Sequence, residues 1–338
     1  MKKKISLIEV AQQLEVSPTT VSFILNGRAK EKRISDEIRD RVLKYVDEIG
    51  YKPNSLARSL RTGKTYIIGL MVESISDPFF SSIARNIEER AYKSGYKILY
   101  SSTANSTEKT KELLRIYDER HVDAYIIAPP EGIEDELKTL IESGKPVMLF
   151  DRYIKDLNID AVIVDNYKST SVAIKHLIDQ GFKNIAFITL DSLQSQMSER
   201  LIGYEKTLID AGLPQYVKEI SYDSPPEKVI AHIESFLQRR PEIDCLVFGT
   251  NYLGVYGLKA IAKLGLSIPQ DIGVLVFDDQ DLFELHKPSI TAIEQPIDQL
   301  SDQIITMMLA KLNGTSKSKK VQTIVLPTKM NVRQSSVK

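Results

Sequence analysis

The stretch S-L-I-E-V-A-Q-Q-L-E-V-S-P-T-T-V-S-F-I-L-N-G, residues 6–27, decides how the chain begins to fold. Leu7, Val10, Ala11 and Leu14 recur at i, i+3, i+4 and i+7, the apolar stripe of a short helix. Glu15-Val16 interrupts it, and Ser17-Pro18 then supplies an N-cap followed by Pro at the first helical position, where its missing N–H is harmless. The second helix runs from Pro18 to about Leu25, buries Val21 with Ile24 or Leu25, and stops at Asn26-Gly27. Two short helices joined by a tight turn make a helix-turn-helix. Such a unit presents the start of its second helix to the DNA major groove, which makes Ser17, Pro18, Thr19, Thr20, Ser22, Phe23 and Asn26 the candidate contacts. A third helix is expected from about Asp36 to Ile49, capped by Ser35 or Asp36, with Ile38, Val42, Val46 and Ile49 inside. Gly50 ends it and Pro53 prevents its continuation.

Charge supports a head of this kind. The 338 residues carry 45 Lys+Arg and 45 Asp+Glu, a formal net charge of zero. That balance hides an asymmetry. Residues 1–64 hold 14 basic and 8 acidic side chains, net +6, which leaves 31 basic against 37 acidic beyond them, net −6. A segment built to meet a polyanion, followed by one that is not, gives this distribution. An acidic core would also keep the remaining surface off the duplex.

Downstream of the third helix lies G-Y-K-P-N-S-L-A-R-S-L-R-T-G-K-T, residues 50–65. Its middle can form about two helical turns, which is marginal alone in water, so it is expected to order only on pairing with its own copy or on meeting DNA. With Val10-Ala11, Val16-Ser17, Thr20-Val21-Ser22 and Asn26 in the head, followed by this segment at the right distance, the chain resembles the LacI/GalR family of bacterial transcriptional regulators. The resemblance implies that residues 1–52 form the helix-turn-helix DNA-binding domain and 53–64 a hinge helix in the minor groove. Leu60 would wedge into the central base step beside Ala57, with Arg61 on the DNA. Apolar wedges that unstack and kink a duplex are a known minor-groove device. Two departures stand out: Phe23, where many members carry Arg, and Glu15, where many carry Gly. A Phe cannot make the bidentate Arg–guanine pair, so the operator sequence does not carry over. Phe23 either touches a thymine methyl or packs on the head.

From Tyr66 onward strands and helices alternate, first through Val147–Phe150 and again from Ala161–Val164 to Ile272–Phe277. This rhythm implies an α/β core of two doubly wound parallel-sheet subdomains behind a small all-α head. The core is expected to span residues 65–338. Its first subdomain would take about 65–160 plus part of the C-terminal return, and its second about 161–290 plus the tail. Ligands of such sheets bind beyond the carboxyl ends of the strands. There the sequence places Asp77-Pro78-Phe79-Phe80, Asp151-Arg152, Asn251 and Asp278-Asp279, with Arg200 in R-L-I-G-Y on a following helix. Carboxylates, an amide, an Arg and aromatic faces suit polyhydroxyl ligands, although Asp and Asn at these places also simply cap helices. The family resemblance extends over the core, which is similar to periplasmic sugar-binding proteins. It implies that Phe79, Phe80, Asp151, Arg200, Asn251 and Asp278 line an effector cleft. Arg152 and Arg200 would tolerate a phosphorylated sugar. Tyr252 departs from the family, where Asp often follows Asn.

Enzymatic readings fail on their residues. Gly63-Lys64-Thr65 mimics the end of a phosphate loop, but Arg58 stands where its first Gly must be. Asp278-Asp279-Gln280-Asp281 could hold Mg²⁺, yet capping and an effector contact account for it better. His121, His176, His232 and His286 show no metal spacing, and no G-x-S-x-G occurs. The single Cys245 can form no intramolecular disulfide and is expected to pack in a core strand. No apolar run of spanning length is present, and Glu9 and Glu15 break any signal-peptide core. The sequence therefore predicts a non-enzymatic, cytoplasmic bacterial regulator, nucleoid-associated when on DNA, without cofactor or resident metal. It would repress by binding a palindromic double-stranded DNA operator as a homodimer, with a tetramer left open, under control of a small effector, a sugar or sugar phosphate. The alternative is a small-molecule binding protein with no regulatory role.

Overall fold

The computed structural model describes residues 5–25, 27–51, 63–315 and 320–338. Asn26 in the head, and Ala57, Leu60 and Arg61 in the segment expected to form the hinge, fall outside the described residues. The chain divides into two compact units, residues 1–65 and 66–338.

In the first unit, α1 (Leu7–Gln13), α2 (Pro18–Leu25) and α3 (Asp36–Glu48) follow the sequence pattern. A capping box starts α1: Glu9 N–H donates to Ser6 Oγ at 3.2 Å and Ser6 N–H donates to Glu9 Oε2 at 2.7 Å. Ser17 caps α2 by accepting from Thr20 N at 3.0 Å, and Ser35 caps α3 by accepting from Ile38 N at 3.3 Å. Val10, Ala11, Val21, Ile24, Ala29 and Val42 are buried together, with Ile38, Val46 and Ile49 half-buried around them. The turn between α1 and α2 is made by Glu15 at φ 52°. A residue with a Cβ is strained there, which is the physical reason a Gly suits the position.

In the second unit, β1 (Ile67–Val72), β2 (Lys97–Ser102), β3 (Ala124–Ile127), β4 (Val147–Phe150) and β5 (Asp160–Val164) alternate with α4 (Pro78–Lys93), α5 (Thr107–Glu119) and α6 (Glu134–Glu142). The pattern then repeats. Strands β6 (Ile185–Leu190), β7 (Tyr216–Ile220), β8 (Cys245–Phe248), β9 (Gly273–Phe277) and β10 (Thr291–Glu294) alternate with α7 (Asn166–Asp179), α8 (Ser195–Asp210), α9 (Pro226–Gln238), α10 (Asn251–Leu264) and α11 (Asp281–Leu285). Finally α12 (Ile297–Leu312) returns to the first lobe, and β11 (Thr323–Leu326) and β12 (Lys329–Asn331) add one strand to each sheet.

The sheets run β11-β5-β4-β3-β1-β2 and β12-β10-β9-β8-β6-β7. The first is wholly parallel; the second is parallel except for β12, which lies antiparallel on β10. One expectation is corrected. Ala161–Val164 opens the second run in the sequence rhythm, but it belongs to the first sheet, between β11 and β4, with Leu149 opposite Ala161 and Phe150 opposite Val162. The chain changes lobe after Val164, again between β10 and α12, and again between β11 and β12. One apolar cluster follows these crossings, from Leu70, Phe80 and Ile83 through Val164 and Ile174 to Phe187, Tyr204 and Phe277. Cys245 is fully buried and free, its thiol pushed up by burial, and Gly273 leaves room for it and for Phe182.

Glu15→Gly should stabilise the head by about 0.5–1 kcal/mol, the relieved strain outweighing the added chain entropy. The readout is hydrogen exchange of the Val10 and Val21 amides in the full chain, expected to slow about two- to fivefold.

Candidate functional site

On the head, Ser17, Pro18 and Thr19 are exposed and Thr20 is half-buried, so the start of α2 is presented to solvent. Ser22 is not. It is 6% exposed, because its short side chain sits at the margin of the stripe that buries Val21 and Ile24. Phe23 is half-buried and outside the head's apolar cluster. Arg28 and Lys32 lie over its ring, 5.7 and 5.4 Å from the centroid. The ring thus faces a basic surface.

In the core, β1 lies between β2 and β3, and β6 between β7 and β8. At such points consecutive connections leave in opposite directions and open a crevice at the strand ends. The two crevices form one cleft. Its inner chamber, about 30 Å³, is lined by Phe79, Phe80, Asp151, Arg200, Asn251 and Asp278, all six of the residues expected from sequence. An outer chamber of about 390 Å³ shares Glu73, Asp77, Leu190, Asn251 and Tyr252 with it and adds Tyr222 and Tyr256.

Each side chain is held by the element beneath it. Asp77 caps α4, accepting from Phe79 N at 2.9 Å, and accepts from Asn251 Nδ2 of the opposite lobe at 3.1 Å. That cap points Phe79 and Phe80 inward, their rings edge-on at 5.0 Å. Asp151 after β4 and Asp278 after β9 both adopt positive φ, 68° and 73°. Arg152, 3% exposed, donates from Nε to Asp151 Oδ2 at 2.9 Å, from Nη2 to Glu73 Oε2 at 2.8 Å, and from Nη1 to Asn105 Oδ1 at 3.3 Å. Arg200, 2% exposed, stacks on Phe277 at 3.5 Å from the ring centroid. It donates from Nε to Asn166 Oδ1 at 2.9 Å and from Nη1 to the Gly249 carbonyl at 2.7 Å, with Asp278 Oδ2 at 3.8 Å. Both guanidiniums therefore already face carboxylates, and four acids, Glu73, Asp77, Asp151 and Asp278, stand against two cations. A phosphate entering here meets an excess of negative charge, which weighs against the expectation that the two arginines would tolerate one.

Burial raises the Glu73 and Asp77 carboxyls above the usual range. It pushes Asp278 up to about 6, against the opposing pull of Arg200 and Gln295. Burial and the nearby Glu73 also raise the Tyr222 and Tyr252 hydroxyls. Asn166 follows β5 in Asp165-Asn166, a strand-end pair that the sequence offers. Sequence reasoning passes over Glu73, Gln196 and Asn105. Glu73 was within reach of the strand-end rule, because it is the first residue after β1; the two amides become visible only in three dimensions. Among the described residues no group of three or more His, Cys, Asp or Glu could hold a metal ion, and no helix is long and apolar enough to cross a membrane.

Residues 6–54 match the model of bacterial regulatory proteins of the lacI family, and residues 174–336 match the periplasmic binding protein-like domain. The HTH-type transcriptional regulator KdgR of Bacillus subtilis (strain 168) is 31% identical over 345 residues, spanning 99% of this chain and 100% of that protein. The chain belongs to the LacI family. It is accordingly a DNA-binding transcriptional regulator with a periplasmic-binding-protein-like core, and its relatives are regulators rather than enzymes. A lac repressor dimer bound to operator and the anti-inducer ONPF has the same fold, with a TM-score of 0.87 at 21% identity over 99% of this chain and 100% of that one. A periplasmic binding protein/LacI transcriptional regulator from Alkaliphilus metalliredigens QYMF, complexed with D-xylulofuranose, is 27% identical, covers 81% of this chain and 100% of that one, and has a TM-score of 0.73.

Because the folded-state pKa of Asp278 lies above its unfolded value near 4, its ionisation opposes folding. Stability is lost as pH rises from about 4 to about 6 and is level above that. Measured against Asp278→Asn, which lacks this titration, the wild type should lose on the order of 2–3 kcal/mol across that window, read as melting temperature against pH.

Proposed function

We propose that the chain is an operator-binding repressor that works as a homodimer and is switched by a small sugar-class effector held between the two lobes of its core. The observation that carries this reading is the convergence of Phe79, Phe80, Asp151, Arg200, Asn251 and Asp278 on one cleft, in a chain that also bears a helix-turn-helix. Two-fold symmetry would set two α2 helices on the half-sites of a palindrome, with Ser17, Pro18, Thr19, Thr20, Phe23 and Asn26 as the head's contacts. Ser22, being buried, supports α2 instead. The segment 53–64 would pair with its copy at the centre of the site, Leu60 wedged into the central base step with Ala57 beside it and Arg61 on the DNA. Effector binding shifts the lobes and thereby decides whether these marginal helices can pair. The sugar complex of the Alkaliphilus relative supports the effector class.

A second reading, a sugar-binding protein without a regulatory role, shares the cleft but leaves the basic head unexplained. Gel shifts against palindromic sequences upstream of the chain's own gene separate the two. The expected result is a specific complex whose affinity falls steeply with salt; absent or salt-insensitive binding sinks the regulatory reading. Leu60→Gly should weaken operator binding at least tenfold while leaving effector affinity, measured by calorimetry, unchanged within twofold. Loss of both together would contradict a modular head and core.

A further inference from the structure

The polar groups of the cleft can be counted as donors and acceptors, because one end of their network is fixed. Arg152 can only donate, so Asn105 presents its oxygen to it. That oxygen also receives Gln194 Nε2 at 2.6 Å, which leaves Gln194 Oε1 as the acceptor for Gln196 Nε2 at 3.2 Å. The relay therefore ends on an oxygen. Gln196 Oε1, on a side chain 4% exposed that lines the inner chamber, has no hydrogen-bond partner. The orientation follows from the network itself rather than from a free choice of amide flip. A buried acceptor left unmade is unfavourable until something donates to it.

The charges point the same way. Asp151 and Glu73 share one guanidinium, and Asp278 has the other. Asp77 has only two backbone N–H groups and the Asn251 amide. Glu73 and Asp77 line both chambers and stand where these meet. Among the described residues no group of three or more His, Cys, Asp or Glu could hold a metal ion, and a cationic group on a larger ligand would balance these acids. Aromatic faces at Phe79 and Tyr252 beside them favour an ammonium on a ring. The outer chamber, about 390 Å³, lies at the small end of ligand pockets.

We infer that the effector is an amino sugar, its protonated amine seated between Glu73 and Asp77 and a hydroxyl donating to Gln196 Oε1. This rests on the effector-controlled reading above and narrows its ligand class. Phosphorylated sugars are disfavoured by the same acids that favour the amine.

Isothermal titration of the full-length wild-type chain with glucosamine, N-acetylglucosamine, glucose and glucose 6-phosphate, and with the galacto and manno counterparts of each, tests this. In at least one configuration the free amine should bind at least about tenfold more tightly than its N-acetyl and hydroxyl counterparts, with the phosphate weakest. A neutral sugar binding as tightly as its amine, or a phosphate binding best, overturns the inference and leaves the effector-controlled reading standing. If no sugar in the panel binds, the sugar-effector reading falls and takes this one with it. Glu73→Gln and Asp77→Asn, chosen because both keep the side-chain shape and Asn still caps a helix, locate the amine. Each should cut the amine-to-hydroxyl affinity ratio about tenfold, Asp77→Asn at a melting temperature near that of the wild type. A ratio unchanged in both overturns the placement, and Asp77→Asn serves alone should Glu73→Gln unfold by releasing Arg152.

Discussion

The guanidinium of Arg152 is the constraint on which the cleft depends. It leaves the end of β4 and reaches Glu73 at the end of β1 and Asn105 beyond β2, tying three strand ends of one sheet to a single buried cation. Burying such a cation is unfavourable unless every direction it faces is satisfied, so Glu73, Asp151 and Asn105 are fixed together or not at all. The knot continues across the cleft, because Asn105 Oδ1 also binds Gln194 from the other lobe. Tyr153, the next residue, donates from its backbone N to Ser195 Oγ at 3.0 Å and from its hydroxyl to Glu199 Oε1 at 3.0 Å. Beside these, Glu131 Oε1 accepts from Leu193 N at 2.9 Å. The lobes thus meet through polar bonds around the opening. Such contacts can exchange with water or ligand at small net free energy, which an apolar seam could not do.

The two lobes also repeat one another. Both sheets place the first strand of their run between the second and third, and both put an Asp at positive φ directly after a Phe that ends the fourth. Yet the repeated Asp serves differently. Asp151 lies against Arg152, its own neighbour, whereas Asp278 faces Arg200 from α8 and Gln295 from the end of β10. One lobe contributes a cation already neutralised, the other a cation stacked on Phe277 and a carboxyl raised to about 6. This asymmetry would give the proposed effector a defined orientation between halves that share one topology.

What could be read from the chain follows from where the information resides. Alternating elements, caps and the strand-end rule are local, and they located five of the six cleft residues at strand ends or the helix starts just beyond them. Arg200 is read with them from R-L-I-G-Y on the helix that follows a strand, and the family resemblance then places it in the cleft. Sheet membership is not local: Ala161–Val164 reads as the first strand of a new run, and only its register on Met148–Phe150 assigns it to the old one. Ser22 misleads for a related reason, since a short polar side chain beside an apolar stripe is covered or exposed according to its neighbours. Glu15 carried a real signal, because a position where relatives use Gly is one that needs positive φ, and the structure has it at 52°. The amide relay from Asn105 to Gln196 had no sequence signal, its members being separated by some ninety residues.

Charge is where the two scales meet. The excess of six acids over bases beyond residue 64 first suggests a surface that avoids DNA. Part of it has another location, since Glu73, Asp77, Asp151 and Asp278 against Arg152 and Arg200 place two of those six formal charges inside the cleft. Charges held there are too enclosed to steer a duplex, and they are close enough to raise one another's proton affinity. Their effect is on what enters. An effector bearing positive charge, as proposed above, would relieve the repulsion between the strand ends of the two lobes, and one without it would leave that repulsion in place. On that proposal the same acids that give the core its net charge would couple ligand charge to the spacing of the lobes, through Asp77 on one lobe and Asp278 on the other.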